Sequence, residues 1–113
     1  MILVIGGRGA GKREYVKTLG YTEADMAEAV LDERPVLCGL EQLVFAAPER
    51  SMELLPALRE KAVVICDEVG SGIIPAERKQ REGREACGRL CIALAREASQ
   101  VVRLVCGIAQ VIK

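Results

Sequence analysis

The stretch that decides the fold is Ile2-Leu3-Val4-Ile5-Gly6-Gly7-Arg8-Gly9-Ala10-Gly11-Lys12-Arg13, near the start of the 113-residue chain. Its residues 2–5 form a short aliphatic run that stops at two glycines, which is typical of a buried parallel strand. Residues 12–19 have a helical composition and are followed by Gly20, a natural carboxyl-terminal cap. We therefore predict a strand, a glycine-rich turn and a helix in succession.

The glycine-rich turn fits the pattern G-x-x-x-x-G-K of a phosphate-binding P-loop. In such a loop the backbone N–H groups surround a phosphate, the helix amino terminus adds partial positive charge, and the lysine adds a full charge. We expect Lys12 to hold the outer phosphates of ATP or GTP and to act in catalysis. The predicted nucleotide-binding residues are Gly6, Gly7, Arg8, Gly9, Ala10, Gly11, Lys12 and Arg13.

One position departs from the pattern, because Arg13 stands where a serine or threonine hydroxyl ordinarily ligates Mg²⁺. An arginine side chain has no acceptor atom with which to bind a cation. Three alternatives stay open: water completes the magnesium shell, Thr18 reaches the ion, or the loop holds nucleotide without efficient transfer. The spacing argues against Thr18, which lies over a helical turn farther along the chain.

A second motif follows the apolar run of residues 62–66, which predicts another buried strand and ends on Asp67-Glu68. A carboxylate at the carboxyl end of such a strand is typical of a Walker B element, which reaches the Mg²⁺ beside the phosphates. Because ligands of open α/β sheets bind at that edge, we expect Lys12 and Asp67 to meet across one crevice. Asp67 is the predicted metal ligand, and Glu68 is a candidate catalytic base or an outer partner of the metal site.

The segment between the two motifs carries weaker signals. Thr22 is a candidate cap for a short helix through Ala29, and residues 29–31 are a candidate strand. Two further helices are predicted, the second over residues 52–61 with Pro56 at a kink or at its start. The first of these two is indicated by helical spacing of Leu37, Leu40, Leu43 and Val44.

The C-terminal part predicts a loop at residues 70–72, a long helix that begins near Pro75, a strand at residues 101–106 and a short returning strand at residues 110–112. Strands that alternate with helices indicate a mostly parallel sheet. The predicted fold class is therefore α/β and P-loop NTPase-like, with helices flanking the sheet. Residues 1–113 are expected to form a single nucleotide-binding domain.

The composition limits the partners of this protein. Lys and Arg together number 16, as do Asp and Glu, so the net charge is zero and a nucleic-acid partner is not expected. Apolar runs of about five residues are far below the roughly 20 that a membrane-spanning helix needs. The amino terminus also lacks the basic segment of a secretory signal, and we expect a cytoplasmic protein.

The five cysteines form an odd set without a C-x-x-C pair, and we expect them to be reduced. Cys87 and Cys91 stand four residues apart on the predicted long helix, a spacing at which two thiols can share a metal ion. Zinc normally requires four soft or imidazole ligands, and the chain has no histidine. The sequence therefore favours small buried apolar side chains at these positions.

Several blocks together resemble the adenosylcobinamide kinase / adenosylcobinamide-phosphate guanylyltransferase family of cobalamin biosynthesis. The resemblance covers residues 1–13 and 62–113 and is weak between them. The residues that carry it are Ile2 through Gly7 with Gly11-Lys12, the block Glu68-Val69-Gly70-Ser71-Gly72-Ile73-Ile74-Pro75, Gly88-Arg89, Val105-Cys106-Gly107-Ile108 and Ile112-Lys113.

The resemblance implies a P-loop α/β fold, adenosylcobinamide as the substrate, ATP or GTP with Mg²⁺ as cofactors, and a homo-oligomer that is a trimer or a hexamer. It also implies that guanylate transfer is absent, because the family carries the nucleotide on a histidine and this sequence has none. Two functions remain open. One is an adenosylcobinamide kinase, and the other is a non-catalytic partner that binds nucleotide or a corrinoid.

Overall fold

The structure is a computed structural model in which residues 1–68 and 77–113 are described. Within these residues, one sheet contains β1 (Ile2–Gly6), β2 (Met26–Glu28), β3 (Val36–Cys38), β4 (Val63–Asp67), β5 (Gln100–Val105) and β6 (Ile108–Val111). The α-helices are α1 (Lys12–Thr18), α2 (Leu40–Ala46), α3 (Leu55–Arg59) and α4 (Arg78–Glu97). Two 3-10 helices span Glu23–Asp25 and Pro48–Leu54.

The strands lie in the order β2-β3-β4-β1-β5-β6, and only the last pair is antiparallel. In the central strand, Gly6 lies opposite Asp67 of β4 and Leu104 of β5. The carboxyl ends of three parallel strands therefore meet where the glycine-rich turn begins. This arrangement confirms the predicted α/β fold with a mostly parallel sheet and a short returning strand at the C-terminus.

Helices cover both faces of the sheet, because alternate residues of each strand point to opposite sides. On one face, Val16 of α1 belongs to a buried cluster with Val4 of β1. On the other face, Leu3 of β1 shares a cluster with Leu90 and Leu94 of α4, to which α2 and α3 also contribute. The sheet is thus the middle of three layers, and the carboxyl ends of its parallel strands form the edge at which ligands of open α/β sheets bind.

The prediction of a short helix from Thr22 to Ala29 is wrong beyond the first turn. Thr22 does cap a helix, but this 3-10 helix ends at Asp25, and the following strand is Met26–Glu28 instead of residues 29–31. Met26 and Ala27 are buried against β3, so sheet pairing overrides the local helical composition. Ala29 has a φ of 53°, which turns the chain out of the strand.

The helix predicted from Leu37 onward begins only at Leu40, because residues 36–38 form β3. Strand β3 lies between β2 and β4, and its side chains are buried on both faces of the sheet. Such a fully buried strand has no alternation that a pattern can detect. Residues 52–61 are not one helix either: they are divided between the second 3-10 helix and α3, with Pro56 in the first turn of α3.

The C-terminal elements agree with the sequence prediction. Helix α4 buries one stripe of side chains against the sheet, and β5 and β6 form a hairpin through Cys106-Gly107. The loop predicted at residues 70–72 and the helix start predicted at Pro75 lie outside the described residues. Among the helices that the structure describes, none combines the length and the apolar composition needed to cross a membrane.

Candidate functional site

The glycine-rich turn between β1 and α1 adopts a conformation that depends on glycine. Gly9 has a φ of 75° and Gly11 a φ of 96°, which is the left-handed region that residues with a Cβ rarely enter. Gly6 is needed for a different reason, because a Cβ there would lie 2.7 Å from the carbonyl oxygen of Leu104. The loop is also tied to the C-terminal hairpin, since the Gly107 N–H donates to the Ala10 carbonyl at 2.8 Å.

Lys12 begins α1 and folds its side chain back into the loop. It is buried, with 6% of the side chain exposed, and its Nζ donates to the Gly6 carbonyl at 3.0 Å and to the Gly7 carbonyl at 2.7 Å. The same ammonium lies 2.7 Å from Oδ1 of Asp67. These three acceptors match the three donors of a lysine ammonium, so the charge is buried without an unpaired group.

Asp67 reaches the loop because β4 pairs with β1 in parallel and ends at the same edge. Its carboxylate is about one third exposed, at 32%, and therefore remains accessible from the cavity. Its backbone N–H donates to Oε1 of Glu41 at 2.9 Å, which fixes the end of β4 relative to α2. The structure thus brings Lys12 and Asp67 together, as the parallel strand ends predict.

Arg13 is held by two carboxylates. Its guanidinium donates to Glu28 and to Glu23 at 2.7 Å each. Lys17 also pairs with Glu23 at 2.8 Å. Hydrogen bonds from Lys17 and then Arg13 lower the pKa of Glu23 to about 2. The hydrogen bond to Glu23 in turn raises the pKa of Arg13. Thr18, the other candidate metal ligand, donates its hydroxyl to the Tyr15 carbonyl instead.

The loop opens into a cavity of about 720 Å³ at the carboxyl ends of the strands. Some of the predicted site residues line it. A second group of lining residues, which the sequence did not indicate, comes from β2, β3, β4, α1 and α2 and from the turn before α2. The predicted residues that line it are Arg8, Gly9, Gly11, Lys12, Arg13 and Asp67. The additional residues are Glu14, Glu28, Cys38, Gly39, Glu41, Gln42 and Ile65.

The additional residues are organised around Glu28. Gln42 donates its side-chain amide to Oε1 of Glu28 at 3.1 Å, on the side opposite the Arg13 contact. Gly39 has a φ of 71°, and a Cβ there would lie 2.8 Å from Oε1 of Glu28. Burial raises the pKa of the neighbouring Cys38 thiol to about 11, so this thiol stays protonated near neutral pH.

Two of these residues, Glu28 and Glu41, could have been predicted from their positions at or just after the end of a parallel strand. Glu28 is the last residue of β2, and Glu41 follows β3 by three residues. Polar residues at such positions gather at the ligand edge of an α/β sheet. The sequence pattern predicts a helix both over residues 22–29 and from Leu37 onward, so it assigns neither Glu28 nor Glu41 to that edge.

Glu68 is oriented differently from the other predicted site residues. Its carboxylate pairs with Arg103 of β5, with 2.7 Å between Oε1 and Nε, and its N–H donates to the Gly6 carbonyl at 2.9 Å. Glu68 therefore lies beside the loop, over the end of β1, and is not among the residues that line the cavity.

The donor set of the cavity fits a hydrated Mg²⁺ ion. Asp67, Glu41 and Glu28 supply carboxylate oxygens, the ligands that Mg²⁺ prefers, and a bound triphosphate would add its own oxygens. Mg²⁺ commonly retains several waters and uses only one or two carboxylates, so the missing hydroxyl at Arg13 does not exclude it. Asp67 is the best placed of the three, because it adjoins Lys12, the lysine of the glycine-rich loop.

A family model described as cobinamide kinase / cobinamide phosphate guanyltransferase matches residues 28–112, most of the chain. Residues 1–13, which carry the P-loop pattern, precede that range, whereas residues 28–61, where the sequence resemblance is weak, lie within it. No curated protein matches the chain. The site at the loop thus rests on its motif and geometry, while the matched range runs from the last residue of β2 through the whole of β6.

Proposed function

This chain belongs to the cobinamide kinase / cobinamide phosphate guanyltransferase family, a transferase family of cobalamin biosynthesis, and we propose that it catalyses the kinase reaction. In this reaction the γ-phosphoryl group of ATP or GTP moves to the aminopropanol hydroxyl of adenosylcobinamide. The products are a nucleoside diphosphate and adenosylcobinamide phosphate. The observation that carries the proposal is the buried Lys12 ammonium, which lies 2.7 Å from Asp67 inside a glycine-rich loop.

Lys12 is the group that we propose to hold the β- and γ-phosphates. Its ammonium has a full charge in a buried position, where charge acts more strongly than in water. The backbone of residues 7–11 would surround the phosphates, with the amino terminus of α1 behind them. Lys12 would exchange its contacts to the Gly6 and Gly7 carbonyls for phosphate oxygens.

Asp67 is the residue that we propose to hold Mg²⁺, an ion that would neutralise part of the phosphate charge when bound. Its accessible carboxylate supports this role. Glu68 is our candidate for orienting the acceptor hydroxyl and accepting its proton. Because Arg103 already holds the Glu68 carboxylate at 2.7 Å, that role requires the acceptor to approach from the β5 side of the loop.

We further propose that guanylate transfer is absent and that the chain forms a homo-oligomer, a trimer or a hexamer. The absence of guanylate transfer is inferred from the sequence, which contains no histidine to carry a nucleotidyl group. The homo-oligomer is supported by the hairpin edge, where Ile108 and Val111 are 71% and 57% exposed. Mass analysis of the products and light scattering coupled to size exclusion test these two points.

The decisive experiment incubates the purified chain with adenosylcobinamide, Mg²⁺ and either ATP or GTP, and detects the products by mass. We expect adenosylcobinamide phosphate from the wild type and a loss of about 100-fold or more in Lys12→Ala. Lys79→Ala is the matched control, since Lys79 is an exposed lysine on α4, away from the cavity. Equal transfer by Lys12→Ala and the wild type would refute the mechanism, and a guanylylated product would refute the absence of the second activity.

A second candidate function is a non-catalytic partner that binds nucleotide or a corrinoid, and Arg13 favours it. Both Glu23 and Glu28 hold the arginine in the position of the metal-binding hydroxyl. This function predicts nucleotide binding that hardly depends on Mg²⁺, together with no phosphate transfer. Arg13→Ser would restore the hydroxyl, and under this function it would introduce a dependence of nucleotide affinity on Mg²⁺ that the wild type lacks.

A further inference from the structure

Three of the five cysteines lie close together between the sheet and α4, on the face of the sheet opposite α1. Cys66 is the penultimate residue of β4, and Cys87 and Cys91 lie one turn apart on α4. The Sγ atoms of Cys66 and Cys87 are 3.6 Å apart, and those of Cys91 and Cys66 are 3.8 Å apart. All three sulfur atoms lie within 4.8 Å of one another. The sequence placed two of these thiols together, and the fold adds the third.

These sulfur separations are the ones that a metal–thiolate site requires. With metal–sulfur bonds of about 2.3 Å and tetrahedral angles, the sulfurs of one site lie roughly 3.8 Å apart. The observed separations of 3.6 and 3.8 Å therefore need little movement to accept an ion among the three atoms. None of the three is engaged in a disulfide, so each thiol is available as a ligand.

The surroundings select the kind of ion. Cys66 and Cys87 are 1% exposed and lie in the same apolar cluster as Leu90 and Leu94. Sulfur is the only kind of donor in this three-residue group, and a set of soft thiolates binds copper(I) and zinc(II) in preference to hard cations. Cys91 is only partly buried, which gives an ion a route to the group.

We propose that Cys66, Cys87 and Cys91 bind one soft d10 metal ion, of the class of copper(I) and zinc(II), separately from the nucleotide site. Each ligand binds as a thiolate, so its proton is released to solvent as the metal–sulfur bond forms. No oxidation or reduction of the ion is involved. A bound ion would tie β4 to α4, and Cys66 directly precedes Asp67 in β4.

The test uses the full chain, reduced and freed of metal, under anaerobic conditions and without nucleotide. Copper(I) and zinc(II) are titrated in separate arms against a chelator of known affinity, and the bound metal per chain is measured after size exclusion. We expect one equivalent of at least one ion and a higher Tm in its presence. Retention of neither ion by the wild type would overturn the proposal.

Substitutions identify the ligands. Cys91→Ser and Cys87→Ser should each lower the affinity for the ion by at least tenfold and abolish the rise in Tm. Cys106→Ser is the matched control, because this exposed cysteine lies in the β5–β6 turn, and it should bind metal as the wild type does. Cys91→Ala serves as a second variant. Because Cys91 is the least buried of the three cysteines, its substitution should disturb folding least. One full equivalent in Cys91→Ser or Cys91→Ala, with unchanged affinity, would refute the assignment.

Discussion

The backbone N–H of Gly107 donates a 2.8 Å hydrogen bond to the carbonyl of Ala10, which joins the C-terminal hairpin to the glycine-rich loop. The two segments also touch directly, because a Cβ built on Gly11 would lie 3.3 Å from the Cα of Gly107. The turn between β5 and β6 therefore supports the loop from behind, so the hairpin at the end of the chain contributes to the shape of the site at its beginning.

This contact makes Gly11 the most sensitive glycine of the loop after Gly6. Gly11→Ala should lower the free energy of unfolding by about 1–2 kcal/mol, because alanine is strained at a φ of 96° and its Cβ would crowd Gly107. Gly7→Ala is the matched control: nothing lies within 4 Å of a Cβ there, and we expect a change within about 0.5 kcal/mol. Urea unfolding measures both, and equal stability of the two variants would contradict this prediction.

Asp67→Asn should separate the structural and the metal-binding roles of this carboxylate. Removing the partner of the buried Lys12 should lower the free energy of unfolding by about 1–2 kcal/mol. Nucleotide affinity, measured by calorimetry, should lose its response to Mg²⁺, while affinity without Mg²⁺ should rise because Lys12 is released from Asp67.

The control for this variant is Glu97→Gln, which removes an ion pair with Arg59 that is partly exposed on both sides. It should change the free energy of unfolding by less than about 1 kcal/mol and leave nucleotide binding unaltered. A Mg²⁺ response retained by Asp67→Asn would assign the ion to another carboxylate of the cavity.

Glu68→Gln tests whether this carboxylate acts on the acceptor hydroxyl. If it does, the rate of phosphate transfer should fall by about 100-fold or more, with nucleotide affinity unchanged. Arg103→Gln removes the partner of Glu68 but keeps the carboxylate, and it should retain most of the rate. An equal loss of phosphate-transfer rate in both variants would show that the rate depends on the ion pair between Glu68 and Arg103 and not on Glu68 as a proton acceptor.

The ion pairs of Glu23 should give the protein a specific dependence on acidity. Hydrogen bonds from Lys17 and Arg13 lower the pKa of Glu23 from 4.5 to about 2 in the folded chain. Its contribution to stability is therefore complete above about pH 4.5 and is lost as the pH falls toward about 2. In acid unfolding, Glu23→Gln should show a shallower loss of stability over this range than the wild type, whereas Glu60→Gln, at an exposed glutamate, should follow the wild type.

The sequence predicts the elements around the two motifs well, because each has a strong local signal. The run of residues 2–5 before the glycines and the run of residues 62–66 before Asp67 both form central strands. The meeting of Lys12 and Asp67 follows from the parallel arrangement alone. The roles of both residues in catalysis remain predictions.

The segment from residue 21 to residue 61 is less predictable for a physical reason. Its strands have only three residues each, and β3 is buried on both faces, so neither length nor alternation distinguishes it from the start of α2. The contact of Arg13 with Glu28 spans 15 positions and depends on that strand order. No local sequence pattern indicates the contact of Arg13 with Glu28. The same is true of the contact between the Cys66 thiol and α4.

The three internal contacts of Lys12 have a consequence for selectivity. Any anion that enters the loop must displace acceptors that already satisfy the ammonium, so binding is a substitution in which only the difference between old and new partners counts. A single inorganic phosphate offers little beyond what Gly6, Gly7 and Asp67 provide. If the loop binds nucleotide as proposed, a triphosphate would also engage backbone N–H groups along the turn, so we expect the loop to bind it in preference to inorganic phosphate.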